Sequence, residues 1–79
     1  MNLKIITPEQ TYFSGEVTTV TLPGSSGSFT VWENHAPLIS ILTAGKMSYT
    51  SEGKETEIEI EGGFMEVNNN MISVCLETI

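Results

Sequence analysis

His35 is the only histidine and Cys75 the only cysteine, and Glu33 stands two residues before His35. A thiol activated by an imidazole needs its sulfur within hydrogen-bond reach of a ring nitrogen. Cys75 falls inside MISVCL (Met71–Leu76), an alternating apolar run, and a buried, inert thiol is the plainer reading of such a position. His35 admits two roles. Its ring nitrogens can satisfy backbone groups of a loop stiffened by Pro37, which also restricts Ala36, or the loop can present His35 to a partner. One His and scattered Glu have no metal-ligand spacing. Gly24-x-x-Gly27 is followed by neither Lys-Ser nor Lys-Thr and by no helical pattern, so it predicts a turn and not a phosphate cradle. Gly62-Gly63 predicts a bulge or a corner. Neither a catalytic group nor a cofactor is expected.

Composition narrows the partners. Ten Glu face three Lys, with no Asp or Arg, for a formal net charge of −7. Nucleic acid needs clustered cations on the protein, and an anionic membrane surface is disfavoured on the same ground. A basic protein surface is the natural complement. The longest apolar candidate, Ala36–Leu42, is interrupted by Ser40 and is far short of the roughly 20 residues that span a bilayer, so no direct membrane insertion is expected. The first residues, Met1-Asn2-Leu3-Lys4, do not read as a signal peptide. A lone cysteine fits a reducing compartment.

The elements that must position these residues are strands. No stretch of eleven residues carries helical periodicity, whereas alternation and β-branched residues recur between Gly, Pro and Asn. Leu3–Thr7 predicts a strand stopped by Pro8. Tyr12-Phe13 leads into a turn at Ser14-Gly15, and Glu16–Leu22 follows as one strand whose Val17 and Val20 differ in parity, implying a bulge or two covered faces. A Pro23-Gly24 turn precedes Phe29–Trp32. Leu38–Leu42 (LISIL) has apolar groups on both faces. Lys46–Ser51, a compact loop at Glu52-Gly53-Lys54, and the alternating Glu55–Glu61 come next; in the last, Ile58 and Ile60 oppose a stripe of Glu. Phe64–Val67, an Asn68-Asn69-Asn70 turn and Met71–Leu76 complete one all-β domain over residues 1–79, a two-sheet antiparallel sandwich of about ten short strands. Ile5, Val20, Phe29, Leu38, Ile41, Ile58, Ile60, Val67, Ile72 and Val74 are the expected core.

The run PGSSGSFTVWENHAPLISILTAGKM (Pro23–Met47) resembles the epsilon subunit of F-type, rotary ATP synthases: a Pro-Gly-x-x-Gly turn, a short strand, Asn-His-Ala-Pro-Leu and a later Gly. LKIITPEQTYFSGEV (Leu3–Val17) and EGGFMEVNNNMISV (Glu61–Val74) agree in order, so the resemblance covers nearly the whole chain. It implies an N-terminal β-sandwich of two five-stranded sheets at the foot of the central stalk, against the gamma subunit and the c-subunit ring. It also implies a non-catalytic rotor subunit that couples proton or sodium flow to ATP synthesis, peripheral to the cytoplasmic face of the bacterial inner membrane. Family members usually continue into two C-terminal helices that in many bacteria restrain ATP hydrolysis. With Ile79 as a natural end, that brake is expected to be absent.

The resemblance carries over to loops more than to side chains. Ser25, Ser26, Ser28, Glu33, Asn34, His35 and Ser40 become candidates for the c-ring side. Pro23, Gly24, Gly27, Pro37, Gly62 and Gly63 become the shape-giving positions. Two of these depart from the family pattern: Ser28 stands where an acid is usual and Glu33 where Pro is usual. On the gamma side, exposed apolar residues on a sheet face are expected, with Met47, Tyr49 and Met65 as candidates. Two competing readings remain: a free-standing acidic binding module that docks its Glu stripe on a basic partner, and a small thiol enzyme using Cys75 and His35.

Overall fold

The computed structural model describes residues 1–77, among which there are nine strands and no helix. The expected chain end at Ile79 lies outside the described residues. The strands are β1 (Asn2–Ile6), β2 (Thr11–Glu16), β3 (Thr19–Gly24), β4 (Gly27–Trp32), β5 (Leu38–Leu42), β6 (Gly45–Ser51), β7 (Lys54–Ile60), β8 (Gly63–Asn68) and β9 (Met71–Leu76). β2-β1-β9-β8-β5 form one layer and β4-β3-β6-β7 the other. A single pairing, Gly24 with Leu42, hydrogen-bonds the two layers into one curled sheet. The all-β sandwich is therefore present, with five and four strands. It is not wholly antiparallel, because β1 and β9 run parallel in register Leu3 with Ile72 and Ile5 with Val74.

Two of the hairpin loops follow directly from residue type. Glu52-Gly53 joins β6 to β7 and Asn69-Asn70 joins β8 to β9, and all four residues have φ between 53° and 78°. Two-residue connections with both φ positive match the right-handed twist of the strands they join. Gly and Asn tolerate that conformation best.

Other turn expectations fail for a physical reason. Ser14-Gly15 lies inside β2, paired with Lys4 and Leu3, where the ladder with β1 overrides the local turn preference of the two residues. Glu16–Leu22 is not one strand. The chain leaves β2 at Val17-Thr18, where Val17 N donates to Met1 O at 2.9 Å and Thr18 N to Thr50 O at 2.9 Å, and then enters β3 in the other layer. That crossing explains the parity change between Val17 and Val20, both of them buried. Pro23-Gly24 is the end of β3, and the turn is Ser25-Ser26. Proline fits there because its carbonyl, not a missing N–H, is used: Pro23 O accepts Thr43 N at 2.9 Å.

The core lies between the layers. Leu3, Ile5, Val20, Leu22, Val31, Met47, Met65, Val67, Ile72 and Val74 are sealed from solvent, and Phe13, Phe29, Leu38 and Ile58 pack at its margin. The Phe13 and Tyr49 rings meet across the layers with centroids 4.5 Å apart and a tilt of 39°, a favourable aromatic arrangement. Burial pushes the Tyr49 phenol above its ordinary value near 10; Tyr12 adds to the shift and Thr56 opposes it. Ile41 is corrected out of the core: it is 62% exposed.

Candidate functional site

His35 and Cys75 are placed apart. His35 sits in the β4–β5 loop at the end of the sandwich where β5 begins, and its Nδ1 lies 2.7 Å from the carbonyl oxygen of Ala36. Cys75 is on β9, level with Ile6 and Phe64 toward the opposite end. Asn34, beside His35, is held by Asn70 just ahead of β9, and Met71 to Cys75 is four residues of strand rise, roughly 13 Å, so the thiol–imidazole pair does not form. Cys75 is also half-exposed on an outer face, not buried as its alternating run suggests. Among the described residues no group of three His, Cys, Asp or Glu could hold a metal.

The ring-side candidates also divide. Ser25 and Ser26 form the β3–β4 turn with Ser28 just beyond it, whereas Glu33, Asn34 and His35 lie past Trp32 at the other end of β4. A six-residue strand, about 20 Å of extended chain, stands between them. The sequence reading placed both groups on the c-ring side, and the structure sets them at opposite ends of β4. Ser40 belongs to neither. It is half-buried on β5, and its hydroxyl donates to Ile41 O at 3.4 Å.

The loop after β4 is tied down at several points. Asn34, at φ 63°, donates its backbone N–H to Asn70 Oδ1 at 3.0 Å. The buried α-amino group of Met1 donates to Glu33 Oε2 at 3.3 Å and to Val17 O at 3.3 Å, and lies 3.5 Å from Glu16 Oε1. Glu33, at the position where the resemblance leads one to expect Pro, thus links the loop to the start of β1. The Ser25–Ser28 tip, in contrast, makes no side-chain hydrogen bond among the described residues, and an added Cβ at Gly27 would meet nothing within 4 Å.

The gamma-side candidates are corrected. Met47, Tyr49 and Met65 point inward and are 0%, 6% and 0% exposed. For Met65 the reason is register: it opposes Val74, an inward residue, so its neighbour Phe64 is turned out. The exposed apolar surface lies elsewhere, on the outer face of the five-stranded layer. There Ile41, Phe64, Cys75 and Ile6 line up in one cross-strand row over β5, β8, β9 and β1. Ile39 is 70% and Phe64 48% exposed, and Met71 adds a further apolar group on β9. Two shallow depressions mark this face, one lined by Pro37, Ile39, Glu66 and Asn68, the other by Ile41, Gly63, Phe64 and Cys75. Alternation alone could have exposed the pattern, because LISIL offers Ile39 and Ile41 on one parity and Leu38 and Leu42 on the other. It could not say which parity faced in.

The opposite outer face is polar. Thr19, Thr21, Thr30, Ser28, Ser48 and Thr50 share it with Lys46 and the β7 acids Glu55, Glu57 and Glu59. Thr21 and Thr30 hydroxyls meet at 2.9 Å, and Lys46 Nζ lies 4.0 Å from Glu57 Oε1. Trp32, 63% exposed, is its one large apolar group, beside Thr18, Thr19 and Glu33.

A family profile described as the ATP synthase Delta/Epsilon chain β-sandwich domain matches residues 1–79. The chain is 42% identical to the ATP synthase epsilon chain of Chlorobium limicola over 78 residues, which make up 98% of this chain and 89% of that one. It is 39% identical to the epsilon chain of Leptospira borgpetersenii over 98% of its own length and 61% of the relative's. The corresponding figures for Pelotomaculum thermopropionicum are 43%, 91% and 54%. The chain thus spans most of the first relative and little more than half of the other two. Among solved structures, its fold matches a chain in the Tetrahymena thermophila mitochondrial ATP synthase central stalk and c ring, with TM-score 0.83 and 13% identity over 96% of this chain and 62% of that one. A chain of the Euglena gracilis mitochondrial ATP synthase matches with TM-score 0.88 and 23% identity over 94% and 48%.

Proposed function

The chain belongs to the ATP synthase delta/epsilon chain family through its β-sandwich domain, and from that premise we propose that it is a non-catalytic rotor subunit linking the c ring to the gamma subunit. In this role it couples ion flow to ATP synthesis from the cytoplasmic face of the bacterial membrane. The observation that supports this reading best is the apolar outer face of the five-stranded layer, Ile39, Ile41, Phe64, Cys75 and Ile6, for which a small monomer has no internal use. We assign that face to gamma. Torque transmission asks for a rigid body with two contact regions, and a densely interdigitated sandwich with hydrogen bonds between its layers supplies one.

The ring contact goes to the Ser25–Ser28 tip. Its side chains are unengaged, whereas in the loop at Glu33–His35 the Glu33 carboxylate pairs with the Met1 amino group, the Asn34 N–H is held by Asn70, and His35 Nδ1 lies against the carbonyl of its neighbour Ala36. The test is co-purification with gamma and c subunits, followed by cross-linking from a cysteine at Ser26 or at Asn34 in a Cys75→Ser background. Ser26→Cys should cross-link to c and Asn34→Cys should not. A chain that associates with neither subunit would overturn the reading, and cross-linking from Asn34 alone would reverse the ends.

A further inference from the structure

Between the apolar row and Met71, the outer face of the five-stranded layer carries a second cross-strand row: Ile39, Glu66, Ser73, Lys4 and Ser14. Its two charges stand on β8 and β1, two strand spacings apart, roughly 10 Å. Both are exposed. Among the described residues neither makes an ion pair; the bridges present involve only the Met1 amino group, Glu16, Glu33, Lys46 and Glu57. Glu66 is bordered by Ile39 across the strand pair, by Phe64 and Asn68 along β8, and by Ser73 on β9. Lys46 and Lys54, the remaining cations, belong to the other layer.

A partner that covers Ile39, Ile41 and Phe64 also strips water from Glu66. An unpaired carboxylate buried in this way is strongly unfavourable, and the same holds for a covered ammonium. Apolar contact alone would not fix orientation, because an apolar row accepts rotated or shifted partners at similar strength. Two opposite charges on one row do not.

Resting on the assignment of this face to gamma, we propose that Glu66 and Lys4 form a two-point electrostatic key that sets the orientation of gamma on the sandwich. Gamma presents a guanidinium or ammonium group to Glu66 and a carboxylate to Lys4. Arginine suits the first position, since its planar fork can take both carboxylate oxygens and it is the more weakly hydrated cation. The charge sequence, minus on β8 and plus on β1, makes the docking polar along the layer.

Binding of the full chain to its purified cognate gamma subunit, measured at low and high salt, tests the key. Glu66→Gln should weaken binding about tenfold or more and Lys4→Gln about threefold or more. Both should flatten the salt dependence, and Glu66→Lys should weaken binding further than Glu66→Gln. Glu59→Gln, on the opposite face, should change nothing. Ile41→Glu reports on the face itself. If Ile41→Glu abolishes binding while Glu66→Gln stays within twofold of the parent, the key is overturned and the face assignment stands. If Ile41→Glu binds normally, gamma sits elsewhere and both fall. Equal losses from Glu66→Gln and Glu59→Gln would reveal only general charge attraction and would also overturn the key.

Discussion

Truncating Ile39 and Ile41 to alanine together separates docking from folding. The two side chains are 70% and 62% exposed, so the sandwich gains little from them. Full burial of an isoleucine side chain is worth about 1.5–3 kcal/mol. Covering the exposed two-thirds of each, less the methyl that alanine keeps, leaves about 1–1.5 kcal/mol per residue at the interface. The double variant should therefore bind gamma about 30- to 150-fold more weakly. Substitutions at exposed positions usually change stability by no more than about 0.5 kcal/mol, which for a domain of this size moves the midpoint of a thermal melt by less than about 4 °C. Calorimetry or fluorescence titration gives the affinity, and circular dichroism gives the melt. Thr21→Ala with Thr30→Ala, on the polar outer face, is the matched control. A double isoleucine variant that binds within twofold of the parent would refute the assignment of this face. So would a control pair that weakens binding as much.

Two further outcomes probe the scaffold. Gly63→Ala should lower stability by on the order of 3 kcal/mol or more, seen as a loss of the cooperative melt or a midpoint lowered by more than about 10 °C. At this position an added Cβ would overlap the Cys75 carbonyl oxygen on the paired strand, and φ is 150°; a native-like melt would show that β8 and β9 are not packed this closely. Tyr49 gives a pH signature. Its phenol pKa is raised by burial, so the folded state holds the proton more tightly than the unfolded chain. Its contribution is complete below the ordinary value near 10 and is lost as pH rises from there through the raised value. Urea unfolding midpoints should fall more steeply above pH 10 for the parent than for Tyr49→Phe, and parallel profiles would contradict the burial.

Strand existence was legible because alternation and turn residues carry it locally. LISIL and MISVCL are β5 and β9 residue for residue, and the Asn and Glu-Gly turns declare themselves through the positive φ they tolerate. Facing was not legible wherever adjacent residues were both apolar. Phe64-Met65 and Leu38-Ile39 can each bury only one member, and the choice is made by the register with a neighbouring strand, β9 for the first pair and β8 for the second, information that lies in another segment. The same limitation sent Met65 to a surface and Ile41 to the core, whereas Met47 and Tyr49 alternate with polar neighbours on β6 and their shared inward parity was legible. The separation of Ser25–Ser28 from Glu33–His35 was hidden for a different reason. Proximity in sequence across a short strand is distance in space, and a six-residue strand puts its two ends on opposite sides of a small sandwich. Glu33 could not be understood from its neighbours at all, because its partner is the α-amino group of Met1.

The contrast between the two outer faces favours the proposed docked subunit over a free-standing acidic module. Glu55, Glu57 and Glu59 are all exposed on β7, and alternate residues on a strand are about 6.5–7 Å apart. Repulsion at that distance in water is modest and falls within the range that physiological salt screens. Lys46 lies beside Glu57 and opposite Glu59, which relieves part of it inside the chain. The acidic face can therefore remain solvated without a partner. The apolar face has no comparable internal remedy. Ile39, Ile41 and Phe64 stay open to water in the isolated sandwich, and covering them is favourable in proportion to the area removed. Charge made the Glu stripe conspicuous in the sequence, but the apolar surface left open to water is the one across the molecule from it, and that is the side to which the proposal assigns the partner.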